Sequence, residues 1–229
     1  MIRIPALLSS FAALLGLALA ISFANIAHSS ENKAKNTETA IVAKAKRSGD
    51  VYLLRGFGNV FSRGLDQMGA KLKKRGIKAE VVHHGDWKEV LAQIIANRKK
   101  YGRRPVVLIG HSLGANAILR IATQLKKKRI TVQYMVTFAA TNPIPVPSNV
   151  RKLTNYYFAT DGWGEKVAKG PGFRGNLKNI DFSNSKTIGH FNIDKQPRLQ
   201  RQVINNVLRF VKPSKKAAVK TAKAKSKSG

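Results

Sequence analysis

The chain reads as an α/β domain with a mostly parallel central sheet and helices on both faces. Three observations carry this expectation. From Val51 onward, short apolar runs alternate with segments of helical periodicity, the pattern of strand-helix repeats. The run Pro105–Ile109 is apolar throughout, as a strand covered on both faces must be. After it, Leu113, Ala117, Ile118, Ile121, Ala122 and Leu125 recur at helical spacing, so Gly110-His111-Ser112-Leu113-Gly114 must be a sharp strand-to-helix turn.

The elements follow in chain order. Val51–Leu54 predicts a strand, and Ser62–Arg75 a helix whose inner face is Leu65, Met68 and Leu72. Ala79–Val82 is the next strand. Asp86–Tyr101 predicts a helix with Val90, Leu91, Ile94 and Ile95 inward, and Asp86 and Glu89 have the spacing of a capping box. The strand Val106–Ile109 and the helix Leu113–Lys127 come next, followed by strands at Thr131–Phe138 and Leu153–Ala159. Gly162–Ser185, rich in glycine and asparagine, reads as a mobile loop beside the site. The last helix, Pro197–Val211, carries Leu199, Val203, Val207 and Phe210.

Flanking segments read differently. Residues 1–29 are apolar after Arg3 and resemble a signal peptide, with Ala27-His28-Ser29 or Ala18-Leu19-Ala20 as cleavage positions, or else an uncleaved membrane anchor. Residues 30–49 lack apolar periodicity and read as a disordered linker, residues 50–212 as the folded domain, and residues 213–229 as a disordered lysine-rich tail. Either reading of the N-terminus places the folded part outside the cytoplasm, periplasmic or secreted.

Composition sets bounds. The 229 residues contain no cysteine, which excludes a disulfide framework and a thiolate metal site. Forty-two lysines and arginines against eleven acids give a formal charge of +31. The internal excess falls in three clusters, Lys71–Lys78, Arg98–Arg104 and Lys126–Arg129, each at a predicted helix end, where the macrodipole favours cations. Their number leaves room for an anionic membrane surface or polyanion as partner, reached through the lysine-rich tail.

The chemistry centres on Ser112. A serine hydroxyl is a poor nucleophile until a base takes its proton, and that base needs an acid to fix its tautomer. Gly110 and Gly114 let the turn close around Ser112, and the following helix aims its N-terminal amides at the site, with Leu113 N–H as a donor to an oxyanion. His190, just before the final helix, is the candidate base; His111 should point from the elbow into the packing, and His83 and His84 border the site. No cofactor motif is present. Gly56-Phe57-Gly58 lacks the third glycine of a dinucleotide fingerprint, since position 61 is phenylalanine, and no phosphate-binding loop occurs. His83, His84 and Asp86 could suggest a metal, but Asp86 has a capping role, so no metal is expected.

On these residues the chain resembles the α/β-hydrolase superfamily, small, capless, and lipase-, esterase- or thioesterase-like. The resemblance runs from about Val51 to Val211 and implies a reduced fold, with Ala139–Val150 where larger relatives carry a cap domain. It also implies a Ser112-Asp161-His190 triad, with Asp181 as the alternative acid, and a second oxyanion donor from the backbone of Phe57, or of Gly58. The expected activity is hydrolysis of carboxylic esters or thioesters through an acyl-enzyme. Peptidase, acyltransferase, and a basic surface- or nucleic-acid-binding protein on the same scaffold are the other readings. Phe57, Val60, Trp163, Phe173 and Ile144 are the expected pocket walls.

Overall fold

The structure, a computed structural model, describes residues 47–57, 61–160 and 163–213. The leader, most of the linker, residues 58–60, Asp161 and Gly162, and the tail beyond Pro213 lie outside the described residues.

Six strands form one all-parallel sheet. They are β1 (Arg47–Arg55), β2 (Ile77–His83), β3 (Val106–His111), β4 (Tyr134–Phe138), β5 (Lys152–Tyr157) and β6 (Asn176–Asp181), in the spatial order β2-β1-β3-β4-β5-β6. Among the described residues the four α-helices are α1 (Arg63–Lys74), α2 (Trp87–Tyr101), α3 (Leu113–Lys127) and α4 (Pro197–Phe210).

Strand alternation assigns the two faces. Val51, Leu53, Val107 and Ile109 join one core layer with Leu65, Met68 and Leu72 of α1 and Val203 and Val207 of α4. Tyr52, Leu54, Val106 and Leu108 join the opposite layer with Val90 and Ile94 of α2 and Ile118, Ile121 and Leu125 of α3. Burying a leucine- or isoleucine-sized side chain is worth roughly 1.5–3 kcal/mol. These two layers therefore supply the stability that a chain without cysteine must find in packing.

Four expectations need correction. β1 starts at Arg47, so residues 47–49 belong to the sheet rather than to the linker; Gly49 is buried against Val211, and Arg47 donates to the Val211 carbonyl at 3.0 Å. Gly162–Ser185 contains β6, paired in register with β5 from Lys152↔Asn176 to Tyr157↔Asp181. The sequence Asn-Leu-Lys-Asn-Ile-Asp hides this strand, because an edge strand needs few apolar residues and asparagine has low strand propensity. Leu177 and Ile180 nevertheless reach opposite core layers. Asp86 does not cap α2 with Glu89. A single 3₁₀ turn, His84–Asp86, intervenes, and the capping box closes there: His83 Nδ1 accepts from Gly85 N–H and Asp86 Oδ2 from His83 N–H, both at 3.2 Å. Finally, β4 begins at Tyr134 and β5 ends at Tyr157, each shorter than expected.

Ala139–Val150 crosses to β5 with only isolated bridges and no helix, so no cap covers the sheet among the described residues. No helix among them is long and apolar enough to cross a membrane.

Candidate active site

Ser112 lies between the end of β3 and the start of α3, with φ 55° and ψ −122°. A side chain at positive φ is strained and persists only where its surroundings hold it. Both neighbouring glycines are needed to hold it. A Cβ on Gly110 would lie 2.4 Å from the Gly114 carbonyl oxygen, and one on Gly114 would lie 1.9 Å from the Leu54 carbonyl oxygen. The Ser112 N–H is fixed by the Phe138 carbonyl at 2.9 Å. Its hydroxyl makes no helix cap, and Ser112 borders a cavity.

His190 meets it there. His190 Nε2 is 3.1 Å from Ser112 Oγ. The other ring nitrogen, Nδ1, donates to the Trp163 carbonyl at 2.5 Å, which leaves the Nε2 lone pair toward the serine. That carbonyl is a partner that residue-type reasoning misses, because a backbone oxygen has no sequence signature. Of the two acids proposed for the triad, Asp161 lies outside the described residues. Asp181 sits at the end of β6, its Oδ1 accepting from the Ser183 amide at 2.9 Å and the Ser183 hydroxyl at 2.6 Å. Those bonds hold its carboxyl below the usual range.

Behind the serine runs a buried polar chain. Gly56 N–H donates to Ser62 Oγ at 2.9 Å, the Ser62 hydroxyl pairs with His111 Nδ1 at 2.8 Å, and His111 Nε2 donates to the His190 carbonyl at 2.8 Å. Burial pushes the His111 imidazole down to about 4, so the neutral ring is the working form. His111, expected to turn into the packing, lines the same cavity as Ser112, and its two bonds join three loops. Ser62, expected as the start of α1, makes no side-chain cap because its hydroxyl is used here. His84 Nδ1 adds a bond to the Gly56 carbonyl at 3.2 Å.

Gly56 itself presses on the elbow. A Cβ there would come within 2.9 Å of the Ser112 Cβ. Phe57 follows and is 74% exposed, and Leu113 opens α3, where a first-turn amide has no acceptor within the helix. Gly58 lies outside the described residues.

The site opens into a cavity of about 240 Å³ lined by Phe57, Phe61, Trp163 and Phe191 around Ser112 and His190. The aromatics touch one another: Phe61–Phe191 ring centroids are 5.1 Å apart, and Trp163–Phe191 5.8 Å. Phe57 and Trp163 were expected walls, whereas Phe61 and Phe191 were not. Phe173 packs instead against the α2/α3 core layer, Ile144 is not among the residues lining the cavity, and Val60 lies outside the described residues. Among the described residues no group of three or more His, Asp or Glu side chains could hold a metal.

Comparison with known proteins gives three findings. A family model described as "Protein of unknown function (DUF726)" matches residues 81–157, which include the elbow but not His190. No curated protein matches. Solved structures resemble the chain at low identity. One is a Xanthomonas campestris pv. campestris protein assigned to the alpha/beta hydrolase superfamily, with 14% identity, TM-score 0.43, and coverage of 69% of this chain and 97% of that one. A second is RedJ with a polyethylene glycol molecule in its active site, with 11% identity, TM-score 0.40, and coverage of 69% and 90%. A Bradyrhizobium ABC transporter solute-binding protein matches 48% of this chain and 33% of its own, with 18% identity and TM-score 0.29.

Proposed function

We propose that the chain is a serine hydrolase of the α/β-hydrolase type that cleaves carboxylic esters or thioesters with a short apolar acyl group. The observation that carries this reading is the 3.1 Å approach of His190 Nε2 to the hydroxyl of a serine held at positive φ. In the proposed mechanism, Ser112 Oγ attacks the acyl carbon while its proton passes to His190 Nε2. The tetrahedral oxyanion is met by the N–H groups of Leu113 and Phe57, at the positive end of α3. Collapse breaks the bond to the alcohol or thiol, which leaves with the proton from His190. Water, deprotonated by His190, then attacks the acyl-enzyme and releases the acid and free Ser112.

Asp161 is the proposed acid. It would stabilise the imidazolium, a task the Trp163 carbonyl shares by fixing the tautomer. The aromatic collar supports an apolar acyl group, and the absence of a cap among the described residues suits substrates presented in the open. Export through the N-terminal segment belongs to the same proposal; cell fractionation with and without residues 1–29 tests it.

The test of the activity is hydrolysis of a chromogenic short-chain ester. Ser112→Ala and His190→Gln should each lose at least roughly a thousandfold in kcat. Asp161→Asn should lose less than either, because the Trp163 carbonyl also orients the ring. Wild-type rates in Ser112→Ala would remove Ser112 from the mechanism.

A further inference from the structure

The parallel architecture gathers the sequence's scattered cations. In a strand-helix repeat every helix runs back toward the start of the next strand, so the C-termini of α1, α2 and α3 share the end of the sheet opposite Ser112. Their last turns carry Lys71, Lys73 and Lys74, then Arg98, Lys99 and Lys100, then Lys126 and Lys127. Pro213, where the described chain ends, bridges to Arg47 at this same end.

A cavity of about 410 Å³ opens between the ends of α2 and α3 and the starts of β3, β4 and β5. Among the described residues it is lined by Arg98, Arg103, Arg104, Arg129 and Arg151, and by no lysine, although the chain has twenty-seven lysines and fifteen arginines. Asp50 is the single acid of the described residues in its wall, and its Oδ1 is already engaged by Asn97 Nδ2 at 2.8 Å. Among the described residues the ion pairs are Arg55–Asp66, Lys78–Glu80 and a 4.0 Å approach of Arg104 to Asp50. Among the described residues, no carboxylate lies within ion-pair distance of the other four pocket arginines. Two helix C-termini each contribute about half a negative charge, which with Asp50 still leaves about three positive charges uncompensated.

Arg129 gives an independent sign that the charge is wanted. The position after a helix C-cap commonly takes a left-handed backbone, and glycine fills it after α1 (Gly76, φ 77°). After α3 the same place is held by Arg129 at φ 55°. An arginine there carries strain that glycine would not. Its side chain lines the cavity.

We propose that this cavity is a binding site for a ligand carrying at least two phosphate charges, separate from the Ser112 site. Guanidinium groups match phosphate oxygens with paired N–H donors, which a wall of lysines would not do. The phosphate can belong to a soluble diphosphate or to a phosphomonoester lipid headgroup, and the assay separates the two.

Pyrophosphate is titrated by calorimetry, at fixed ionic strength, into the full chain and three variants. Saturable binding is expected for the full chain and for Ser112→Ala. Arg103→Gln/Arg151→Gln should weaken it by about tenfold or more, whereas Lys126→Gln/Lys127→Gln, which removes the same charge outside the cavity, should change it less than about twofold. Arg129→Gly should bind more weakly while its Tm stays level or rises, and this variant serves if the double arginine variant fails to fold. Co-sedimentation with phosphatidic acid vesicles then assigns the source. Arginine-dependent vesicle binding displaced by pyrophosphate marks a headgroup site, and pyrophosphate binding without vesicle binding marks a soluble ligand. Equal weakening by the arginine and lysine pairs, or no saturable pyrophosphate binding, overturns the proposal.

Discussion

His111 and Asp194 are buried ionisable groups that act in opposite senses. His111 is held near 4, so its stabilising effect is complete above the unfolded value of 6.5 and is lost as pH falls toward 4. Asp194, in the turn after His190, packs its carboxyl against Gly64 at the start of α1, and burial pushes it up to about 6. Its stability contribution is complete below 3.8 and is lost as pH rises through 6. Each shift is worth about 3 kcal/mol, and in the wild type the two oppose each other between pH 4 and 6. Asp194→Asn should therefore match the wild type near pH 4 and exceed it by up to about 3 kcal/mol at pH 7, read by urea denaturation at both pH values. A gain at pH 4 as large as that at pH 7 would contradict this. Gly114→Ala tests the elbow's geometry: with a Cβ 1.9 Å from the Leu54 carbonyl oxygen, it should cost more than about 3 kcal/mol or leave the chain insoluble. Ser112 and its glycines were legible in sequence because backbone strain demands particular residue types. The bonds from His190 to the Trp163 carbonyl and from His111 to the His190 carbonyl were not, since any residue supplies a carbonyl.

At the scale of elements, a buried amide network joins the C-terminal strands to the Trp163 segment. Asn155, fully buried on β5, accepts from the Thr137 hydroxyl at 2.7 Å and donates to the Glu165 carbonyl at 2.9 Å and to Asn179 Oδ1 at 2.8 Å. Asn179 Oδ1 in turn accepts from Val167 N–H at 3.0 Å. Asn155→Ala strands these partners and should cost about 2–3 kcal/mol, with faster proteolysis between Trp163 and Lys169. An unchanged urea midpoint would show that the network relaxes onto water. This network explains why β6 escaped a reading by periodicity: its residues were chosen to bond to the Trp163 segment and to edge the sheet, so they are polar. The apolar strands β1 and β3, and helices α1, α3 and α4, were legible because burial on fixed faces imposes their spacing.

Over the whole molecule, the parallel repeat separates two chemistries, an aromatic site at one end of the sheet and an arginine-rich cavity at the other. Charge clusters were visible in sequence as helix ends, but their convergence on one pole needed the topology. With a formal charge of +31, self-repulsion should weaken the compact state, so Tm should rise with sodium chloride as screening shortens the reach of these charges. A Tm indifferent to salt would mean that the cations are already neutralised locally. The central claim is that Ser112 is a nucleophile activated by His190. Mass spectrometry after treatment with a fluorophosphonate tests it most directly: one adduct, mapped to Ser112 and lost in His190→Gln, is the predicted result. No adduct on Ser112, or labelling just as fast without His190, would contradict it.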